Sequence, residues 1–220
     1  DDITSAIAID SNNNVYITGY TGGALVGTSA GLKDAFLVKY NSAGISLWTK
    51  QLGTTSNDYS RAVAIDSNNN VYITGYTEGA LVGTSAGTND AFLVKYNSAG
   101  TPLWTKQLGT TAHDISFAIA IDSNNNVYIT GYTYGGLNGT NAGSADAFLA
   151  KYDSAGTSLW TKQTGTTAND ISYAIVIDSN NNVYISGYTT GSLVGTNAGL
   201  KDAFLAKYDS AGTSLWTKQT

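Results

Sequence analysis

One unit recurs four times along this chain at a spacing of 56 residues, and that recurrence constrains the fold more than any other property. Trp48, Trp104, Trp160 and Trp216 are the only tryptophans among 220 residues, and each step is the same (104 − 48 = 56). Phe36, Phe92, Phe148 and Phe204 keep this step, as do Asp10, Asp66, Asp122 and Asp178. The units span 1–52, 57–108, 113–164 and 169–220, joined by short segments such as Gly53-Thr54-Thr55-Ser56. Units of this length that cannot bury an apolar face alone stack on their neighbours.

Within a unit the hydrophobic period is two. Ser5–Asp10 alternates small with large side chains, while Val15–Thr21 and Ala35–Tyr40 are β-branched and aromatic, and Leu47–Leu52 follows. These segments read as four strands, a to d, each about six residues. Asp10-Ser11-Asn12-Asn13-Asn14 between a and b suits an Asx-closed turn, and Asn41-Ser42-Ala43-Gly44 between c and d suits a hairpin with a left-handed glycine. The single proline, Pro102, falls at a strand start, where the ladder tolerates it. Each unit reads as an antiparallel meander.

Both faces of that meander are apolar. Strand b places Val15 and Ile17 on one side and Tyr16 and Tyr20 on the other; strand c sets Leu37 against Phe36, Val38 and Tyr40. A sheet greasy on two sides must be covered on two sides. Face-to-face stacking at a fixed repeat gives a β-propeller. The expectation is therefore an all-β propeller of four four-stranded antiparallel blades, with 1–220 one domain or half of one. Ala6, Ile7, Ala8 and Ile9 suit a crowded axis, while Lys50, Gln51 and Trp48 suit an outer strand. A β-solenoid is the structural alternative, but its rungs are shorter and rarely hold such a c–d hairpin.

The run Ala8-Ile-Asp-Ser-Asn-Asn-Asn-Val-Tyr-Ile-Thr-Gly-Tyr-Thr21, followed by Asp34-Ala-Phe-Leu-Val-Lys-Tyr-Asn-Ser-Ala-Gly44, resembles the bacterial SBBP repeat. The resemblance covers all four units. It implies a propeller fold and, since such repeats occur largely in exported or surface proteins of bacteria, a secreted or cell-surface location. It implies no catalytic residues, because the family has no general activity or ligand. The family name denotes seven blades, and this chain has four units.

That difference raises the question of closure. No blade is split between the termini, so no strand-exchange clasp is visible. Four blades could close one ring, two chains could complete an eight-bladed ring as a homodimer, or the piece could come from a longer propeller. The two-chain ring is the favoured expectation, because bare blade faces would exceed the apolar patches a monomer tolerates. Asp1 at the start and the lack of methionine suggest a processed or trimmed piece. Units 1 and 2 differ at ten of 52 aligned positions, which fits a recently amplified or an engineered array.

Composition removes several chemistries. Cysteine is absent, which excludes disulfides, thiolate catalysis and Cys-ligated zinc. A net charge of -5, with Arg61 the only arginine, argues against a grip on nucleic acid. No apolar run is long enough to span a membrane. The only histidine, His113, sits at a unit start where its counterparts are Asp1, Asn57 and Asn169, and reads as a loop residue. The acids recur with the repeat, so no carboxylate pair unique to one place is present for a glycosidase-like site. An axial-channel hydrolase is thus a distant reading, and the expectation is no enzyme and no cofactor.

Asp10–Asn14 opens like a calcium loop, but Val15 stands where glycine is needed and Thr21 where the bidentate glutamate belongs, so no metal site is expected. Gly22–Gly27 is glycine-rich but opens no helix, so no nucleotide site is expected either. The acids Asp2, Asp58, Asp114 and Asp170, and Asp34, Asp90, Asp146 and Asp202, are expected to cap loop amides or meet Lys39, Lys95, Lys151 and Lys207. Most of the Tyr, Trp and Phe ladder positions are assigned to the blade core, with sugar stacking as the competing use.

Departures from the repeat gather in the b–c loops and unit starts. The position after Thr21 and its equivalents reads Gly22, Glu78, Tyr134 and Thr190; the position before strand c reads Lys33, Asn89, Ala145 and Lys201. Unit starts supply Ile3, Tyr59, Ile115 and Ile171, then Ser5, Arg61, Phe117 and Tyr173. A rigid scaffold whose loops vary on one face is a common layout for binding. The candidate contact residues are Lys33, Tyr59, Arg61, Glu78, Asn89, Tyr134 and Lys201. The functional expectation is a non-enzymatic binding or scaffold module of an exported bacterial protein, with a protein or glycan partner and with self-association. A lectin-like propeller with one pocket per blade is the alternative.

Overall fold

The computed structural model describes residues 1–220, all strand, turn and loop. The chain divides into two compact units, Asp1–Leu108 and Gly109–Thr220. The first unit holds β1 (Asp2–Ile9), β2 (Val15–Thr21), β3 (Asp34–Tyr40) and β4 (Ser46–Leu52), then β5 (Asp58–Ile65), β6 (Val71–Thr77), β7 (Asp90–Tyr96) and β8 (Pro102–Leu108). The second holds β9 (Asp114–Ile121), β10 (Val127–Thr133), β11 (Asp146–Tyr152) and β12 (Ser158–Thr164), then β13 (Asp170–Ile177), β14 (Val183–Thr189), β15 (Asp202–Tyr208) and β16 (Ser214–Gln219). Each repeat forms one four-stranded antiparallel sheet in simple up-and-down order, so the fold is all-β with four blades.

The first strand of every blade starts earlier than the period-two pattern suggests, at Asp2 rather than Ser5. A bulge allows it. The register of β1 on β2 slips between Thr4 and Ala6, and that of β5 on β6 between Ser60 and Ala62, leaving Ser5 and Arg61 unpaired with a partner across the ladder. Beside each bulge the chains approach so closely that a Cβ on Gly19 would strike the Ile3 carbonyl, and one on Gly75 the Tyr59 carbonyl. Glycine is obligatory there, which the Gly-Tyr pair repeated in all four units records.

The turns follow their Asx chemistry. Asn13, Asn69, Asn125 and Asn181 all take φ near 60°, a conformation asparagine tolerates. Asp10 Oδ1 accepts the backbone N–H groups of Asn12 at 2.9 Å and Asn14 at 2.8 Å. In the c–d turn Gly44 takes φ 77° and its N–H donates to the Asn41 carbonyl.

Blades pack face to face within each unit. In the first, Tyr16, Ala35 and Leu37 of one blade meet Val71, Ile73, Phe92, Val94 and Tyr96 of the next. In the second, Tyr128, Ala147 and Leu149 meet Ile175, Val183, Ile185, Phe204 and Tyr208. Both sides of a blade are thus apolar because each plays a different part: one face carries Tyr, Leu and Trp, the other Val, Ile and Phe. Burial pushes the Tyr96 and Tyr152 hydroxyls up to about 12.

The periodic lysines meet a different set of acids from the two expected. Lys39 Nζ lies 3.8 Å from Asp10 Oδ2 and 5.1 Å from the Tyr16 ring, and Tyr16 donates its hydroxyl to the same oxygen at 3.0 Å. The arrangement recurs at Lys95–Asp66, Lys151–Asp122 and Lys207–Asp178. Asp10 therefore closes its turn and holds an ammonium, with both carboxylate oxygens engaged. Burial resists ionisation of Asp10, but bonds from Asn14, Tyr16 and Asn12 outweigh it and hold the carboxyl below its usual range.

Candidate functional site

The variable positions converge in the first unit at the bulge of β5. Tyr59 enters on the second residue of β5 and Arg61 is the bulged residue itself, so both side chains depart from the regular alternation. Tyr20 and Tyr76 arrive from the ends of β2 and β6. The Tyr20 and Tyr59 rings meet edge to face at 4.8 Å, and Tyr59 and Tyr76 stack at 4.8 Å. Two cations bracket the rings. Lys33 Nζ lies 5.2 Å from the Tyr20 centroid and 5.4 Å from that of Tyr59. The Arg61 guanidinium carbon lies 5.5 Å from Tyr59 and 5.4 Å from Tyr76, and a terminal nitrogen donates to the Tyr76 hydroxyl at 3.2 Å. Arg61 Nε is buried with no hydrogen-bond partner.

Lys33 is placed by backbone pairing. Its carbonyl accepts the Asp58 N–H at 2.7 Å, which ties the b–c loop of one blade to the start of the next. Glu78 completes the rim: its carboxylate accepts a bond from Asn57 Nδ2 at 2.8 Å and its own N–H donates to the Asn57 carbonyl. Burial raises the Tyr76 hydroxyl above its usual range, and the bond from Arg61 opposes that rise. Four sequence candidates, Lys33, Tyr59, Arg61 and Glu78, thus share one site. Asn89 is half-buried just before β7, at the position that Lys33 holds before β3.

The second unit carries a longer line of rings. Tyr134 stands 5.6 Å from Tyr132, Tyr132 5.7 Å from Phe117, Phe117 5.1 Å from Tyr173 and Tyr173 5.9 Å from Tyr188. His113 abuts Tyr134 at 6.0 Å, and Lys201 Nζ sits 4.1 Å from the Tyr188 centroid. Tyr134 and Tyr173 are 41% and 50% exposed. Of the sequence candidates, Tyr134 and Lys201 therefore stand at opposite ends of one aromatic strip.

Most of the aromatic ladder does lie in the blade core, and one tyrosine series departs from it. Tyr16, Tyr72 and Tyr128 are in it, but Tyr20, Tyr76, Tyr132 and Tyr188 are half-buried members of the ring clusters. Sequence reasoning also passed over Gln51, Gln107, Gln163 and Gln219. Gln51 Oε1 accepts the Leu25 N–H at 2.8 Å, while its amide donates to the Gly23 carbonyl at 3.0 Å and to Asp34 Oδ2 at 2.7 Å. This brace, repeated by Gln107, Gln163 and Gln219, fixes the b–c loop on the last strand of its own blade. Invariance at the 56-residue step was the available signal. Asp34 and Asp58 cap loop amides as expected, accepting from Ala30 N at 2.8 Å and Thr54 N at 2.6 Å. Burial, with the Asp34 charge also contributing, lifts Asp58 above its usual range although bonds from Thr77 and Thr54 oppose it.

The second unit's strip is the more open, with Tyr134 and Tyr173 exposed, whereas Tyr20, Lys33, Tyr59, Arg61 and Tyr76 of the first unit are half-buried. Arrays of tyrosine with arginine and lysine suit a partner that lies across them.

Comparison with known proteins bears on the fold and its use. A family profile described as a β-propeller repeat, SBBP, matches residues 1–25, 47–81, 103–138 and 159–193. An uncharacterised WD repeat-containing protein of Acanthamoeba polyphaga mimivirus is 32% identical over 176 residues, 66% of this chain. The regulatory protein FlaEY of Caulobacter vibrioides is 30% identical over 165 residues, 67% of this chain. The chain spans 13% and 17% of the lengths of these two relatives. Among solved structures, a gluconolactonase of Xanthomonas campestris aligns with 96% of this chain and 60% of its own, at a TM-score of 0.53 and 10% identity. At that identity the likeness concerns fold alone.

Proposed function

Since this chain belongs to the SBBP β-propeller repeat family, we propose that it is a non-enzymatic binding and scaffold module of an exported bacterial protein, working as an assembly of like chains. The binding surface is the cation-bracketed tyrosine cluster of Tyr20, Tyr59, Tyr76, Lys33 and Arg61. That cluster is the observation that carries the reading. It exists only where the repeat departs from itself, since the counterparts of Tyr59 and Arg61 in unit 1 are Ile3 and Ser5. Its cations stand on a chain of net charge -5, which favours a polypeptide segment bearing acidic and aromatic side chains. The description of one relative as WD repeat-containing and of another as a regulatory protein supports a protein partner.

A displayed library of random peptides, panned on the intact chain, tests this. Acidic–aromatic sequences should be enriched on the wild type. Their affinity should fall at least about tenfold on the chain carrying Tyr59→Ile and Arg61→Ser, which is one or two hot-spot contacts' worth. Those substitutions install residues that unit 1 already holds at the same positions, so the fold is kept. No enrichment, or equal enrichment on both chains, would overturn the reading. A glycan array positive on all four blades alike would replace it with the lectin.

A further inference from the structure

The first and last blades each leave bare apolar side chains whose counterparts are buried where two blades pack within a unit. On the last blade they lie on the Tyr–Leu–Trp face. Leu205 and Trp216 are 40% and 37% exposed, whereas Leu37 and Leu149, in the same place on blades that receive a neighbour, are 1% exposed. On the first blade they lie on the inner strand of the Val–Ile–Phe face, since Phe36 and Val38 of β3 are 4% and 7% exposed. Ile7 and Ile9 are 66% and 62% exposed, whereas Ile175, the counterpart of Ile7 on the last blade, is 9% exposed within the packed core.

The polar fittings of the junction show the same pattern. The c–d turn of the second blade lies on the indole of the first: a Cβ on Gly100 would touch the Trp48 ring at 3.0 Å, and Trp48 Nε1 donates to the Ser98 carbonyl at 3.3 Å. Gly212 lies on Trp160 in the same way. Gly44, their counterpart on the first blade, has nothing within 4 Å of that position. Lys39 and Lys151 donate to the carbonyls of Ser98 and Ser210 at 3.0 and 2.8 Å. Lys207, at the matching place on the last blade, has a side chain 20% exposed against 8–9% for the other three lysines. Ser11 and Ser123 donate across each junction to Asn69 and Asn181, which are half-buried there, while Asn13, their counterpart on the first blade, is exposed.

We propose that the occupant of the last blade's bare face is the first blade of a second copy of this chain. The second copy's Ile7 and Ile9 cover Leu205, its Gly44 turn seats on Trp216, and the Ser42 carbonyl of that turn accepts from Lys207. The junction needs no new chemistry, since the chain builds it internally in both units from equivalent residues. The inference rests on the self-association proposed above and specifies its mode: head to tail, with a different face on each copy. Such a contact closes only when the rotation per copy divides a full turn, and two copies are the smallest closed set.

Light scattering at several concentrations tests it with three chains. The wild type should give twice 22.9 kDa. Ile7→Lys and Leu205→Asp each spoil one face, so either variant alone should fall to 22.9 kDa, with far-ultraviolet dichroism unchanged because both positions are exposed. Mixed in equal amounts, the two should form a pair, since one retains the intact last blade and the other the intact first. A wild type that stays at 22.9 kDa at every concentration overturns self-association altogether. A wild type that associates while both variants keep its mass overturns only the head-to-tail mode.

Discussion

Replacing Asp66 by alanine should remove about 4 kcal/mol of stability, a large part of what a domain of this size holds. The carboxylate is fully buried. Its Oδ1 accepts the N–H groups of Asn68 and Asn70 at 2.9 and 2.8 Å, and its Oδ2 accepts Asn70 Nδ2 at 2.9 Å and the Tyr72 hydroxyl at 3.0 Å. Lys95 Nζ stands 3.8 Å away with its side chain 8% exposed. Alanine takes the counter-charge from a buried ammonium and the acceptor from four donors at once. Removing one partner of such a pair costs far more than the pair contributes, because desolvation is not recovered. Asp66→Asn keeps an acceptor for the turn and should lose less. In the Ile7→Lys chain, which stays single and keeps that face uncovered, the same substitution at Asp178 should have a much smaller effect, because the carboxylate is 29% exposed there and water can replace its partners. Bonds from Asn182 and Tyr184 nevertheless hold Asp178 at about 2. Denaturant unfolding of the three variants reads the comparison; equal losses at Asp66 and Asp178 would show that burial is not what sets the cost.

Gly75→Ala should cost about 3 kcal/mol by overpacking. The added Cβ would strike the backbone carbonyl of Tyr59, which cannot swing aside as a side-chain tip can. Relief requires β5 to leave β6 at the bulge, and that bulge positions Arg61 against Tyr59 and Tyr76. The variant should therefore lose peptide binding as well as stability. Gly23→Ala is the control: nothing lies within 4 Å of its Cβ, so the change should be within about 0.5 kcal/mol. A Gly75→Ala chain as stable as the control would mean that the bulge relaxes freely and does not hold the site.

The propeller was readable because three local signals agree: alternation in Val15–Thr21, Asx turns at Asp10 and Asn41, and the fixed 56-residue step. The bulge was not readable. It depends on the close approach of Gly19 to Ile3 across the ladder, and a glycine inside a strand pattern does not say which partner comes near. The acids and lysines were visible as periodic, yet their pairing was not. Lys39 meets Asp10 because the register sets Tyr16 opposite Lys39, and register is a property of two strands together. Site residues divide the same way. Lys33, Tyr59, Arg61 and Glu78 stand out as departures from the repeat, whereas Tyr20 and Tyr76 are invariant and so resemble core. Only the bulge reveals that Tyr20 and Tyr76 end beside a variable ring rather than between two sheets.

The central claim is that every repeat is a sheet apolar on both faces, so the first and last blades are finished only by a partner. Amide hydrogen exchange, followed strand by strand at increasing protein concentration, tests it most directly. Amides of β6 and β7, whose blade has both faces buried, should be strongly protected throughout. Those of β1 should gain protection as concentration rises, and the Ile7→Lys chain should show no such gain. Exchange in β1 that stays fast at every concentration, or that is slow even in the dilute monomer, would contradict the account.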